Sequence, residues 1–173
     1  MTVRRESSER ITQQVIGLDA YRRATCVLAY MSIGTEFDTA QFIANLVASG
    51  KQLCLPRVDR QAREIVVHEV ADVERDLAPG VWGIREPRAD CPIAELGRID
   101  FVLVPGVAFT PRCERLGYGA GFYDRLIGRL AHHPPLVTAA FDLQVLDAIP
   151  VTERDRCVDL VITQRSVHTR RQI

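Results

Sequence analysis

The chain has 173 residues, 47% hydrophobic and 25% charged, which is enough for one globular domain with a substantial core, expected over residues 1–173. Its 22 Lys and Arg residues balance its 22 Asp and Glu residues, so we expect no broad charged surface for nucleic acid or an anionic membrane. The start of the chain is polar and no apolar run approaches the roughly 18 residues of a membrane span, which argues against a signal peptide and a membrane protein.

The first half of the chain predicts helices and strands in alternation. Asp38 is placed to cap one helix, Gly50 to end it, and Pro56 to stop the strand that follows. The predicted elements are a helix over 7–18, a buried strand over 25–31, a helix over 38–50, and strands over 52–56 and 64–70.

The second half continues this alternation, which favours an α/β fold with a largely parallel sheet. Five apolar residues make 99–106 the clearest central strand. The other predicted elements are a Gly- and Pro-rich ordered loop over 78–92, a helix that follows the glycines and runs to about residue 132, strands over 135–141 and 158–164, and an edge strand or loose tail over 168–173.

The five cysteines and four histidines form no recognisable metal or catalytic motif. The cysteines are odd in number and far apart, which favours reduced thiols in a cytoplasmic protein. Nucleophilic catalysis by a Ser-His-Asp or Cys-His arrangement is therefore not expected.

The segment RLGYGAGFYDR, residues 115–125, places three glycines at alternate positions directly before a predicted helix. Glycine permits positive φ and close approach of backbone to a ligand, and a helix start offers free N–H groups, so the pattern is typical of a phosphate site. The dinucleotide fingerprint would need glycine where Phe122 stands, and no Walker Gly-Lys-Ser/Thr is present. A purely structural turn, with Asp124 favoured by the helix dipole, remains an alternative on pattern alone.

Further segments carry a resemblance to a known family. The block PGVAFTPRCERLGYGAGFYDRLI is similar to the loop-and-helix block of the 5-formyltetrahydrofolate cyclo-ligases, also called methenyltetrahydrofolate synthetases. Matching segments keep the same order: YMSIGTEFDT, GKQLCLPRV and WGIREP before this block, and AAFDLQ and IPVTERDRCVDLVIT after it. The resemblance covers about residues 30–163 and implies a three-layer sandwich around a largely parallel sheet, of the cyclo-ligase-like (CoA-transferase-like) type.

Members of this family convert 5-formyltetrahydrofolate into 5,10-methenyltetrahydrofolate with ATP and magnesium, releasing ADP and phosphate. The formyl oxygen is a poor leaving group, so its phosphorylation precedes ring closure by N10, and the protein has to align two substrates and neutralise phosphate charge. The resemblance thus implies a cytoplasmic ligase of folate one-carbon metabolism with a small-molecule substrate, expected to be a monomer or weak dimer.

The resemblance also implies roles for individual residues. Arg115, Tyr123 and Asp124 match catalytic positions, and Asp124 and Asp159 match the magnesium ligands, a role that oxygen donors suit. Taken alone, Asp159 reads as an exposed acid at the start of a strand. The segment implied to hold the ATP phosphates is Arg115, Leu116, Gly117, Tyr118, Gly119, Ala120, Gly121, Phe122, Tyr123 and Asp124.

A second group of residues matches the folate pocket. Glu36, with Met31 before it, matches the acid that contacts the pterin, and a carboxylate suits paired N–H donors. Trp82 matches an aromatic that stacks on the ring, although a lone Trp is more often a core residue, and Tyr118 is expected to line the reaction site. Packing alone would also explain Tyr123, and Gln144 lies in a matching segment without an assigned role.

The resemblance is incomplete at the start of the chain. Family members usually begin with a helix carrying a Lys and an Arg that contact ATP, whereas Arg4 and Arg5 lie near the matching end here without a lysine. Two other functions therefore stay open: a non-catalytic folate- or nucleotide-binding relative, and an enzyme on a similar scaffold that acts on another phosphorylated small molecule.

Overall fold

The computed structural model describes residues 2–80, 83–153 and 155–170, and the elements below lie within them. The helices are α1 (Thr2–Gly17), α2 (Asp19–Arg23), α3 (Ala40–Ala48), α4 (Val73–Asp76) and α5 (Phe122–Ile127). The strands are β1 (Cys26–Leu28), β2 (Gln52–Asp59), β3 (Glu64–Val70), β4 (Leu77–Pro79), β5 (Arg85–Pro87), β6 (Phe101–Leu103), β7 (Ala108–Phe109), β8 (Arg115–Leu116), β9 (Leu136–Ala139), β10 (Leu160–Ile162) and β11 (Val167–Thr169). No helix among these residues is both long and apolar enough to cross a membrane.

Seven strands form one sheet in the order β11-β10-β9-β6-β1-β2-β3. The five inner strands run parallel, and β11 and β3 pair antiparallel at the two edges. β6 lies at the centre, as its apolar run predicted. The predicted α/β class with a largely parallel sheet is confirmed, and the end of the described chain is an edge strand rather than a loose tail.

Helices cover both faces of this sheet. Successive strand residues point to opposite faces, so Val27 packs in a core with α1 and α3, whereas Leu28 packs in a second core with α5. The first core includes Ile11 of α1 and Phe42 of α3, and the second includes Leu126 of α5. This arrangement is the predicted three-layer sandwich.

Strand β2 continues through Pro56, where the sequence predicted it to stop. β1 pairs with β2 only as far as Cys54, so no strand on that side requires an N–H from Pro56. On the other side Pro56 lies opposite Val67, whose carbonyl oxygen accepts a hydrogen bond from the N–H of Ala94 at 2.8 Å. The missing proline N–H therefore leaves neither neighbouring strand without a donor.

Other predicted boundaries also shift. α5 ends at Ile127, about five residues early, because Gly128 follows and helix propensity is lost there. α3 begins at Ala40, and the carboxylate of Asp38 still accepts a hydrogen bond from the Ala40 N–H at 3.1 Å, close to its predicted capping role. The predicted loop over 78–92 contains part of an antiparallel hairpin, β4–β5.

Candidate functional site

Two segments meet beyond the carboxyl ends of the central strands. One follows β1 and carries Met31 and Glu36, and the other follows β6 and includes residues 115–124. β1 pairs with β2 on one side and with β6 on the other, which makes this the point where the strand order reverses. Open α/β sheets bind ligands at such a switch point.

A cavity of about 480 Å³ lies here, a size typical of small-molecule sites. Met31 and Glu36 line one side of it, and Ile84, Arg85 and Glu86 of the β4–β5 hairpin region line another. The glycine segment contributes Arg115, Gly117, Tyr118, Ala120, Gly121, Phe122, Tyr123 and Asp124. The structure thus brings the two predicted groups, phosphate-binding and folate-binding, to one cavity.

The glycines of this segment have distinct structural roles. Gly119 and Gly121 have φ values of 86° and 65°, which side chains rarely adopt. Gly117 leaves little room for a side chain, because a Cβ there would lie 3.0 Å from Nη1 of Arg115. The helix that follows has only six residues, so its dipole contributes less than the sequence suggested, and Arg115 is the main positive group of the segment.

Arg115 is buried, with 4% of its surface exposed. Its Nη2 donates to Oδ1 of Asp124 at 2.6 Å, and its Nη1 donates to the carbonyl of Pro105 at 3.4 Å. Its Nε is buried without a hydrogen-bond acceptor among the described residues. A buried guanidinium with an unused donor beside a cavity suits an anionic oxygen of a ligand.

Only one of the two carboxylate oxygens of Asp124 is hydrogen-bonded among the described residues. Oδ1 accepts from Arg115 and also from the backbone N–H of Arg156 at 2.9 Å. Oδ2 accepts no hydrogen bond from the residues that the structure describes, and Asp124 lines the cavity. This oxygen is therefore available to a cation or a ligand donor.

Tyr123 lines the same cavity, and its hydroxyl is buried without a hydrogen-bond partner among the described residues. Burial raises the pKa of Tyr123 well above its usual value, so the hydroxyl stays protonated. A buried hydroxyl normally has a partner, which makes this group a candidate donor to a ligand oxygen.

Glu36 and Tyr118 join the two segments that line the cavity. The Tyr118 hydroxyl donates to Oε1 of Glu36, and the backbone N–H of Ile33 donates to Oε2 at 2.9 Å. Burial and this hydrogen bond raise the pKa of Tyr118 to about 12. Arg4 of α1 reaches the same segment, where its Nε donates to the carbonyl of Glu36 at 3.1 Å, so the start of the chain lies close to the site.

The described structure does not show every predicted residue at the cavity. Leu116 and Gly119 are not among the described lining residues, and Trp82 lies outside the described residues. Asp159 does not line the cavity either: its Oδ2 accepts from the Leu136 N–H at 2.8 Å. Within the described residues no three His, Cys, Asp or Glu side chains form a metal-binding cluster. The joint magnesium role of Asp124 and Asp159 stays a prediction.

Sequence reasoning missed Tyr30, Arg85 and Glu86 as lining residues. Glu86 stands in the WGIREP segment, which pointed to this region, but no spacing rule singled out its carboxylate. Gln144 has a structural role. Its Oε1 accepts a hydrogen bond from the Phe141 N–H, and its Nε2 donates one to the carbonyl of Val107. It thereby holds the loop that follows β6.

A model of the 5-formyltetrahydrofolate cyclo-ligase family matches residues 2–164 of the chain. The chain belongs to the 5-formyltetrahydrofolate cyclo-ligase family. It is 30% identical over 165 residues to the 5-formyltetrahydrofolate cyclo-ligase of Mus musculus, an alignment that covers 90% of this chain and 81% of the mouse protein. It is 31% identical over 146 residues to that of Escherichia coli K12, covering 83% of this chain and 80% of the relative.

Solved structures support the same cyclo-ligase fold. The NMR structure of Aquifex aeolicus 5,10-methenyltetrahydrofolate synthetase superimposes with a TM-score of 0.86 at 31% identity, covering 99% of this chain and 85% of that one. A Mycoplasma pneumoniae 5,10-methenyltetrahydrofolate synthetase has the same fold, with a TM-score of 0.75 at 22% identity over 95% of this chain and 88% of that one. The family and the fold expected from the sequence are confirmed.

Proposed function

We propose that this protein is a 5-formyltetrahydrofolate cyclo-ligase that converts 5-formyltetrahydrofolate into 5,10-methenyltetrahydrofolate, using ATP and Mg²⁺ and releasing ADP and phosphate. The observation that carries the proposal is the single cavity that Arg115 and Asp124 line together with Met31 and Glu36. A site that couples two substrates has to hold both within reach of each other. Family membership supplies the identity of the substrates.

In this proposal the segment from Arg115 to Asp124 holds the ATP phosphates. Arg115 offers its unused Nε–H to phosphate oxygens, and the absence of a Cβ at Gly117 lets the guanidinium lie against the backbone. The Tyr123 hydroxyl offers a donor inside the cavity, where exclusion of water strengthens it. These groups bind and orient oxygens; none has to become a nucleophile.

Magnesium fits the charge of this cavity. Its described lining carries three carboxylates, Glu36, Glu86 and Asp124, against two guanidinium groups, Arg85 and Arg115, which favours a metal-bound nucleotide over a free polyanion. Oδ2 of Asp124 is the oxygen placed to hold the ion, and magnesium usually takes one or two carboxylates together with phosphates and water. When bound, magnesium would neutralise phosphate charge.

The folate is assigned to the side of Met31, Glu36 and Tyr118. The carboxylate of Glu36 is oriented by Ile33 and Tyr118 before any ligand arrives. Such a fixed acceptor suits the N–H donors of a pterin. Stacking by Trp82, a cytoplasmic location and a monomeric or weakly dimeric state remain predictions of the resemblance.

The direct experiment mixes the protein with 5-formyltetrahydrofolate and Mg-ATP and follows the near-ultraviolet absorbance of the methenyl product. Arg115→Lys should lower turnover by about a hundredfold to a thousandfold, because lysine keeps the charge but loses the forked donors. Arg112→Lys is the matched control, since Arg112 is exposed and pairs with Glu114. Folate binding without turnover would indicate a binding protein, and turnover of another phosphorylated compound without folate binding would contradict the proposal.

A further inference from the structure

Glu86 is a buried carboxylate that neither the fold nor the proposed mechanism uses. It lies on β5, is 5% exposed and lines both the cavity of the candidate site and a second cavity, which Gly80 also lines. Its one hydrogen bond among the described residues is a long contact of 3.4 Å from the Val58 N–H to Oε1. Oε2 has no partner there. A carboxylate removed from water without strong partners lowers stability, so its retention calls for a ligand.

The chain also keeps space for this carboxylate. A Cβ at Gly80 would lie 2.5 Å from Oε2 of Glu86, so a side chain at that position would collide with it. The absence of a side chain at residue 80 thus leaves room for the Glu86 carboxylate. Among the described residues, however, none donates a hydrogen bond to Oε2.

Each of the other charged groups that line the cavity has at least one close polar partner. Arg115 pairs with Asp124, and Arg85 pairs with Glu74 outside the cavity. The remaining one, Glu36, receives hydrogen bonds on both oxygens, as described above. Among the described lining residues, Glu86 is therefore the charged group with the largest unused capacity to accept hydrogen bonds.

Apolar residues surround this end of the cavity. Pro56 and Val58 of β2, Ile65 of β3 and Ile84 line it together with Glu86. Flat apolar walls with a carboxylate at the edge suit an aromatic heterocycle that has adjacent N–H donors. The reduced pterin of the proposed substrate has such an edge, where a ring N–H stands next to an exocyclic amino group.

We propose that Glu86 accepts paired hydrogen bonds from the ring N–H and the 2-amino group of the pterin, and so determines specificity for folates. This inference rests on the proposed function, because it assumes that a folate occupies the cavity. Both donors would bond to a charged acceptor, and such hydrogen bonds are stronger than those between two neutral groups. Glu36 then accepts from another N–H donor of the same pterin.

The test measures binding of 5-formyltetrahydrofolate to the whole protein by calorimetry without ATP. Glu86→Gln should raise the folate Kd by about tenfold to a hundredfold while the Kd of an ATP analogue stays the same. Glu95→Gln, at an exposed residue outside the cavity, should change neither Kd. The urea unfolding midpoint of ligand-free Glu86→Gln should be unchanged or higher, because a poorly partnered carboxylate is removed. Glu86→Met, of similar length, serves if the Gln variant does not fold.

A second measurement identifies the ligand group. An analogue of 5-formyltetrahydrofolate without the 2-amino group should bind the wild-type protein about tenfold more weakly, and this difference should shrink severalfold in the Glu86 variant. Equal losses in both proteins, or a lowered unfolding midpoint with normal folate binding, would show that Glu86 is structural while the proposed function stands. A wild-type protein that binds no folate at all would overturn both proposals.

Discussion

The guanidinium of Arg115 and the carboxylate of Asp124 form an ion pair of 2.6 Å that spans the glycine segment between them. The two side chains are only 3% and 17% exposed, so water screens their attraction weakly. The pair joins the start of the segment to the first turn of α5. It therefore fixes the position of the Arg115 guanidinium relative to the carboxylate of Asp124, two groups that both belong to residues lining the cavity.

The variant Asp124→Asn tests both the magnesium role of Asp124 and the contribution of this ion pair to stability. The variant should lose most magnesium-dependent turnover, since a neutral amide is a weak magnesium ligand. It should also lose about 1–3 kcal/mol of unfolding free energy, because the buried Arg115 keeps a neutral partner only. Steady-state rates over a magnesium series and urea unfolding measure the two effects separately.

Asp90→Asn is the matched control, since Asp90 is an exposed acid paired with Arg88 and lies outside this cavity. It should change neither quantity by a measurable amount. A wild-type rate for Asp124→Asn at limiting magnesium would contradict the metal role of Asp124.

Glu36→Ala should raise the KM for 5-formyltetrahydrofolate more than the KM for ATP, because the acceptor for the pterin is lost. Tyr118→Phe removes only the hydroxyl that orients Glu36, so its effect on the folate KM should be in the same direction and smaller. Initial rates with each substrate varied in turn measure both constants. Equal changes in the two KM values for Glu36→Ala would exclude the pterin assignment.

The sequence predicted the order and type of the main elements because hydrophobic periodicity and caps are local. Gly119 and Gly121 were correctly expected to permit unusual backbone, and both have positive φ. The extension of β2 through Pro56 was not predictable from local rules, since it depends on where β1 ends in space.

At the site, too, single residues could be predicted from the sequence, but contacts between residues distant in the chain could not. The resemblance pointed to Glu36 and Tyr118 separately, but their contact joins residues 82 positions apart and needed the fold. Glu86 went unnoticed because an acid within a polar segment normally reads as exposed, and its burial depends on the space left at Gly80. The carboxylate of Asp159 accepts a hydrogen bond from the N–H of Leu136, a contact that the sequence did not predict, and its expected role at the metal stays a prediction.

Gly117 and Gly119 should respond differently to alanine. In Gly117→Ala the new Cβ would press on Nη1 of Arg115, so turnover should fall severalfold or more through a displaced guanidinium. In Gly119→Ala the Cβ meets open space but the φ of 86° is strained, so stability should fall by about 1 kcal/mol. Paired measurements of rate and of urea midpoint distinguish them, and a rate loss confined to Gly119→Ala would contradict this assignment.

Three of the four tyrosines, Tyr21, Tyr30 and Tyr123, have a pKa raised mainly by burial. In the unfolded chain they ionise near pH 10, so the stability that comes from keeping them neutral is present below that pH. It is lost as the pH rises from about 10 through their higher folded pKa values. The native protein should therefore show little tyrosinate absorbance at 295 nm at about pH 10.5, where urea-unfolded protein absorbs strongly. A native titration midpoint near pH 10 for Tyr21, Tyr30 and Tyr123 would contradict the burial of their hydroxyls.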